Sequence, residues 1–206
     1  MLSSAIIAGV VLLVCGADLS GQATQPTSHP AVRDWPQTVQ AAADAMAHNK
    51  PAALEALLAP SAVVREFADD TPRSPERATL AMKGSTLLGV HAYPATPSSL
   101  ASDLAEDLRS AGEVVPEQTR QHMIPADEAT ARRADATAAQ WIDSVLRRDD
   151  GESHPTGVLL FWTEARKSRL ERSERRAVFV VLQGIPEGNA FRIKQVVLGD
   201  PLETHR

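Results

Sequence analysis

Two side chains capable of proton transfer lie close together near the middle of the chain. His91 and Tyr93 are two residues apart in Thr86–Tyr93 (TLLGVHAY), whose composition predicts a β-strand. Residues two apart in a strand point to the same face of the sheet. An imidazole and a phenol placed side by side could polarise a carbonyl group or transfer a proton. Because no carboxylate partner is evident, we favour a structural pair in the sheet over a catalytic pair.

The densest run of charge lies at residues 164–176 (EARKSRLERSERR), between two apolar segments, and contains six basic and three acidic side chains. Four of the basic residues are candidates for binding an anionic surface or an acidic partner: Arg166, Lys167, Arg169 and Arg172. Interspersed charges of opposite sign neutralise one another in a solvated loop or a short helix. We therefore favour a solvent-exposed connection over a binding arm.

Motifs for other kinds of chemistry are missing from the sequence. No two of the six histidines are two, three or four residues apart, so the chain lacks the paired histidines of a zinc-binding helix. It also lacks the G-x-S-x-G and S-x-x-K motifs of serine nucleophiles and the glycine-rich loops that bind phosphate. We therefore expect no metal site and no cofactor.

The overall charge bears on the choice of partner. The chain has 21 Lys and Arg residues against 26 Asp and Glu residues, which gives a net charge of −5. This mild acidity argues against a nucleic-acid partner, because nucleic-acid-binding domains are typically basic. Aromatic residues make up only 4% of the chain, so few rings are present for stacking on bases. Two kinds of partner are therefore considered, an envelope protein and a small apolar ligand.

The first 23 residues have the features of an export signal. An apolar run over residues 5–17 is followed by small residues ending at Gly21-Gln22-Ala23, which predicts cleavage after Ala23. The run is short for a membrane span, which needs ~20 residues. A single-pass anchor and an N-terminal core helix are the less favoured alternatives. We expect a periplasmic or secreted protein with no transmembrane span after cleavage.

Cys15 is the only cysteine, and it lies within the apolar run. Leu12-Leu13-Val14-Cys15 partly resembles a bacterial lipoprotein signal, in which the position of Val14 carries Gly, Ala or Ser. A lipid anchor at Cys15 is therefore the less favoured alternative. Cleavage after Ala23 would leave a chain without thiols and hence without disulfides.

Residues 24–33 form a polar, proline-containing linker, and residues 34–206 are long enough for one domain. Asp34 can cap a helix that starts at Trp35-Pro36 and runs to about His48. A second helix starts near Pro51 and completes a helical hairpin. Further helices are predicted at residues 76–83, 98–112 and 126–148.

Apolar, β-branched segments predict the strands, at residues 61–67, 86–93, 157–162, 177–183 and 191–198. The last three form an antiparallel meander, with a loop at residues 184–189 before the final strand. Side chains alternate across a strand, so Phe179 and Val181 should face away from Val178 and Val180. The fold class predicted is α+β, with helices packed on a curved antiparallel sheet.

This order of elements is similar to that of the nuclear-transport-factor-like, or SnoaL-like, superfamily. Residues 51–64 (PAALEALLAPSAVV) resemble its second helix and first strand, and residues 191–201 (FRIKQVVLGDP) resemble its closing strand. The resemblance implies a cone-like fold with a pocket, but residues 68–156 are longer than the family needs. The function that we favour is a non-enzymatic binding or accessory domain of the cell envelope. The resemblance allows an alternative, a small-molecule isomerase, cyclase or dehydratase that uses the pocket.

Overall fold

The computed structural model describes residues 34–67, 71–146, 153–165 and 174–199. All of these residues belong to one compact unit. In chain order, the elements are α1 (Trp35–Ala47), α2 (Pro51–Glu55), β1 (Leu58–Glu66), α3 (Pro75–Ala81), β2 (Thr86–Tyr93), α4 (Leu100–Ser110), α5 (Glu117–Met123), α6 (Glu128–Leu146), β3 (Thr156–Ala165), β4 (Glu174–Glu187) and β5 (Ala190–Gly199).

The five strands form one open sheet in the order β1-β5-β4-β3-β2. Strands β3, β4 and β5 pair as the predicted antiparallel meander, and β2 pairs antiparallel to β3. Strand β1 runs parallel to β5, so the sheet is mixed and not antiparallel throughout. No hairpin fixes the direction of β1 relative to β5, because most of the chain separates them. The α+β class is confirmed.

The turn between β4 and β5 is shorter than the predicted loop at residues 184–189. Strand β4 continues to Glu187, and only Gly188–Asn189 forms the turn. The prolonged strand includes Pro186, which cannot donate a backbone hydrogen bond. This is tolerated because the pairing of β4 with β3 ends before Pro186 is reached.

Two other differences from the prediction concern β1 and α5. Strand β1 begins at Leu58 and not at residue 61, and it includes Pro60. Because β1 lies at the edge of the sheet, a proline there removes no central hydrogen bond. Helix α5 was not predicted. None of its residues is buried, so it has no apolar face from which helical periodicity could be recognised.

The central strands β3 and β4 are buried on both faces. One core packs α1, α2 and α3 against Leu159, Phe161, Val178 and Val180. The other packs α4 and α6 against Leu160, Trp162, Phe179 and Val181. Successive residues of β4 therefore point into opposite cores, which confirms the predicted alternation, and helices cover both faces of the sheet.

Trp35 anchors α1 to the sheet. Its indole Nε1 donates a hydrogen bond to the backbone oxygen of Thr156 at 3.1 Å. A Cβ atom at Gly184 would lie 2.6 Å from the Trp35 ring, so a glycine is required for the ring to approach β4 so closely. Asp34 caps α1 as predicted, by accepting a hydrogen bond from the backbone N–H of Gln37 at 2.9 Å.

Arg65 joins the edge strand β1 to the end of α6. It is buried, and its guanidinium donates to the backbone oxygen of Val145. The Gln195 side chain on β5, with its amide oriented to satisfy both neighbours, accepts from Arg65 and donates to the backbone oxygen of Leu146. The C-terminal end of a helix carries partial negative charge, so a cation there is favourable.

Val180→Asp should destabilise the protein severely. The Val180 side chain is 0% exposed, so the new carboxylate would be buried without a partner. We expect a loss of at least about 3 kcal/mol in the free energy of unfolding, measured by urea denaturation. Val63→Asp is the control, because Val63 on β1 is 40% exposed and should lose under about 1 kcal/mol. Equal losses in the two variants would contradict the burial of Val180 in the core formed with α1, α2 and α3.

Candidate functional site

A polar cluster joins β2 to α4, and we call His91, Tyr93, Asp103 and Asp107 the β2–α4 cluster. His91 Nε2 donates to Asp107 Oδ2 at 2.6 Å, and the Tyr93 hydroxyl donates to Asp103 Oδ2 at 2.5 Å. The two rings are stacked, with centroids 6.2 Å apart and planes inclined by 20°. The two candidates therefore lie side by side, and each has a carboxylate partner that sequence analysis did not identify.

The spacing of the four residues explains how they meet. Asp103 and Asp107 are one helical turn apart, about 6 Å along the axis, and His91 and Tyr93 are about 6.6 Å apart along the strand. The chain reverses between β2 and α4, so Tyr93 meets Asp103 and His91 meets Asp107. A pair of carboxylates four residues apart, beside the apolar stripe of α4, was the signal that could have identified them.

Asp107 reaches His91 because Gly89 has no side chain. A Cβ atom at Gly89 would lie 1.8 Å from Asp107 Oδ2. The pairing of β2 with β3 is irregular between Leu87 and Gly89, which places this close approach next to a β-bulge. Gly89 is therefore the residue of β2 that allows the carboxylate to approach His91.

Asp135 of α6 caps the start of α4. Its Oδ1 accepts hydrogen bonds from the backbone N–H groups of Ala101 at 2.6 Å and Ser102 at 3.1 Å, and its Oδ2 accepts from the Ser102 hydroxyl at 2.9 Å. Ser99, at the N-cap, makes no capping bond and donates instead to Asp103 at 3.0 Å. The Asp135 carboxylate thus satisfies free N–H groups and complements the positive end of the helix.

The connection between β2 and α4 is fixed to the same helix. The Thr96 hydroxyl donates to Asp143 Oδ1 at 2.6 Å. Asp135 and Asp143 are eight residues apart on α6, or about 12 Å along its axis. Helix α6 therefore positions both the connection and the first turn of α4.

The carboxylates of α4 alter the acid–base properties of the two rings. The hydrogen bond to Asp107 is the largest cause that raises the pKa of His91, and the charges of Asp107 and Asp103 add to it, while burial opposes it. Burial is the largest cause that raises the pKa of Tyr93, followed by its hydrogen bond to Asp103. Tyr93 therefore stays protonated at neutral pH. The side chains of His91 and Asp107 are 20% and 16% exposed, so protons can exchange with solvent.

The remaining predictions concern the basic run, a metal site and a membrane span. Arg166, Lys167, Arg169 and Arg172 fall outside the described residues. Over the described ranges, no three His, Cys, Asp or Glu side chains are grouped so that they could hold a metal ion. The helices that the structure describes are each too short or too polar to cross a membrane.

Comparison of the chain with protein families, with curated proteins and with solved structures gave no match. The resemblance to the nuclear-transport-factor-like superfamily therefore stays a prediction.

Gly89→Ala should displace Asp107 from His91. The added methyl group overlaps the carboxylate, so we expect a loss of about 2–3 kcal/mol in the free energy of unfolding. In an Asp107→Ala background, which removes the overlapping atoms, the same change should cost under about 1 kcal/mol. Urea denaturation of the four proteins in this double-mutant cycle measures the coupling. Equal costs in both backgrounds would contradict the contact.

Proposed function

We propose that this protein is an exported, non-enzymatic binding or accessory domain of the cell envelope, periplasmic or secreted. The main support for a non-enzymatic role is that the reactive atoms of the two candidate catalytic side chains form the hydrogen bonds that join β2 to α4. His91 Nε2 and the Tyr93 hydroxyl each donate to a carboxylate of α4. A substrate could bond to His91 Nε2 or to the Tyr93 hydroxyl only after the existing hydrogen bond had broken. This favours a structural role for the cluster.

The partner that we propose is another envelope protein. Helices cover both faces of β3 and β4, and their apolar side chains pack against the sheet. This arrangement favours contacts through the helices or the sheet edges, and therefore a protein partner over a small apolar ligand. The proposed export depends on residues 1–23, which lie outside the described residues.

We also propose membership of the nuclear-transport-factor-like superfamily. The α1–α2 pair followed by β1, and the closing antiparallel strands β3, β4 and β5, support this proposal. The chain between β1 and β3 is longer than that family needs, and it contributes the helices of the second core.

A small-molecule isomerase, cyclase or dehydratase is the second candidate. The observation in its favour is the His91–Asp107 pair, because an imidazole bonded to a carboxylate and partly open to solvent can serve in general acid–base catalysis. Since Asp107 raises the pKa of His91, the imidazole would be protonated, and able to donate a proton, to a greater extent than an ordinary histidine at the same pH. Tyr93 would act as a second proton donor.

Cells that express the full chain should export a protein that begins at Thr24, as N-terminal sequencing of the exported fraction would show. Leu13→Arg should retain the uncleaved chain inside the cell, because a charge interrupts the apolar run. Ala31→Arg, in the linker, is the control and should leave export unchanged. Exported material that begins at Met1 would contradict cleavage, and a lipid-modified Cys15 would favour the anchored alternative.

Deuterium exchange separates the non-enzymatic role from the second candidate. An enzyme that moves protons on carbonyl substrates would catalyse incorporation of deuterium from D₂O into small carbonyl compounds, which NMR detects. We expect no incorporation that depends on His91. Incorporation by the parent that a folded His91→Gln variant loses, and that His48→Gln retains, would show catalysis. His48 is the matched control because it is exposed at the end of α1.

A further inference from the structure

The two halves of α4 are bonded to the rest of the fold through different side chains. The first half is anchored by the Tyr93–Asp103 hydrogen bond and by Asp135, which caps the first turn. Among the described residues, the side-chain hydrogen bond that joins the second half to β2 is the His91–Asp107 pair. The helix ends at Ser110, and Gly112 follows with φ of +56°.

The second half of α4 buries two side chains. Ala105 and Leu108 are buried there, whereas Glu106, Arg109 and Ser110 are exposed. Arg120 of α5 also donates to the backbone oxygen of Arg109 at 3.4 Å. The charged hydrogen bond between His91 and Asp107 adds to these contacts and holds the segment to β2.

We propose that the His91–Asp107 pair is a pH-sensitive latch on the second half of α4, residues 105–110. The latch closes when the imidazole is protonated and loosens when the imidazole loses its proton. Helix α4 stays attached through its first half in both states. This inference concerns the fold itself and goes beyond the proposed function.

The charges around His91 favour its protonated form. Asp107 and Asp103 attract the imidazolium from α4, and Asp135 on α6 acts on the neighbouring Tyr93. Strand β3 places the uncharged Val158 opposite His91. Helix α1 packs on the other face of β2, through the core that includes Val90 and Ala92.

The direction of the pH dependence follows from the His91 pKa, which lies above its ordinary value of 6.5 in the folded protein. The His91–Asp107 ion pair therefore contributes its full stabilisation below pH 6.5. This stabilisation is lost as the pH rises through the higher pKa that His91 has in the folded protein. The Tyr93 pKa is raised above its ordinary value of 10.0, so the Tyr93–Asp103 bond persists over the same interval. Raising the pH should thus loosen the second half of α4 alone.

Hydrogen exchange measured on the parent protein tests the latch. Exchange is followed from about pH 5.5 to about 8.5, where histidines titrate, and is corrected for the intrinsic effect of pH. We expect the protection of residues 105–110 to fall by at most about tenfold per pH unit above the ordinary histidine pKa. Protection in α1 should stay constant. The loss should begin near the ordinary histidine pKa of 6.5 and be complete at the pKa that NMR titration gives for the His91 ring.

His91→Gln removes the titrating proton but keeps an amide that can donate to Asp107. Its protection at residues 105–110 should not change with pH, and Asp107→Asn should behave in the same way. His48→Gln should keep the parent's pH dependence. The latch is wrong if His91→Gln retains the dependence, if the parent shows none, or if α1 loses protection in parallel. Should neither variant fold, a loss of protection in the parent that continues well above the pKa measured for the His91 ring would also overturn the latch.

Discussion

Burial of β3 and β4 on both faces is the constraint on which the rest of the structure depends. Residues 158–161 of β3 and 180–182 of β4 are at most 1% exposed. Side chains of successive residues point to opposite faces, so one helical layer could cover only half of this apolar surface. The first layer comes from α1, α2 and α3, and the second core requires α4 and α6. Two helical layers are therefore a consequence of two apolar strands.

The β2–α4 cluster follows from that second layer. Helix α4 buries Leu100, Leu104 and Leu108, and Asp103 and Asp107 lie beside this apolar stripe, where the helix meets the edge strand β2. A carboxylate at a half-buried interface loses hydration and needs hydrogen-bond donors in return. His91 and Tyr93 supply those donors. The packing of α4 thus explains the cluster without a substrate, which is why we favour a structural role.

The order of residue types along short segments predicted those features of the fold that depend on neighbouring residues. The α1 start at Asp34, the strand at Thr86–Tyr93 and the alternation along β4 were all evident in the sequence, because each depends on neighbouring residues. The parallel pairing of β1 with β5 was not, because it joins segments separated by more than a hundred residues. Two of the four residues of the β2–α4 cluster were predicted from the sequence. His91 and Tyr93 share a strand, whereas their partners lie on a helix whose approach depends on Gly89 and on the second core.

Helix α6 links the two edges of the sheet. At its C-terminal end it accepts hydrogen bonds from Arg65 of β1, and nearer its middle Asp135 caps α4, which is bonded to β2. Nineteen helical residues extend about 28 Å, while five strands span about 19 Å, so one helix is long enough to cross the sheet. Edge strands lack a neighbour on one side and are the least constrained part of a sheet. Here each edge is also held through α6 and its contacts, so a change at α4 affects an edge strand as well as a helix.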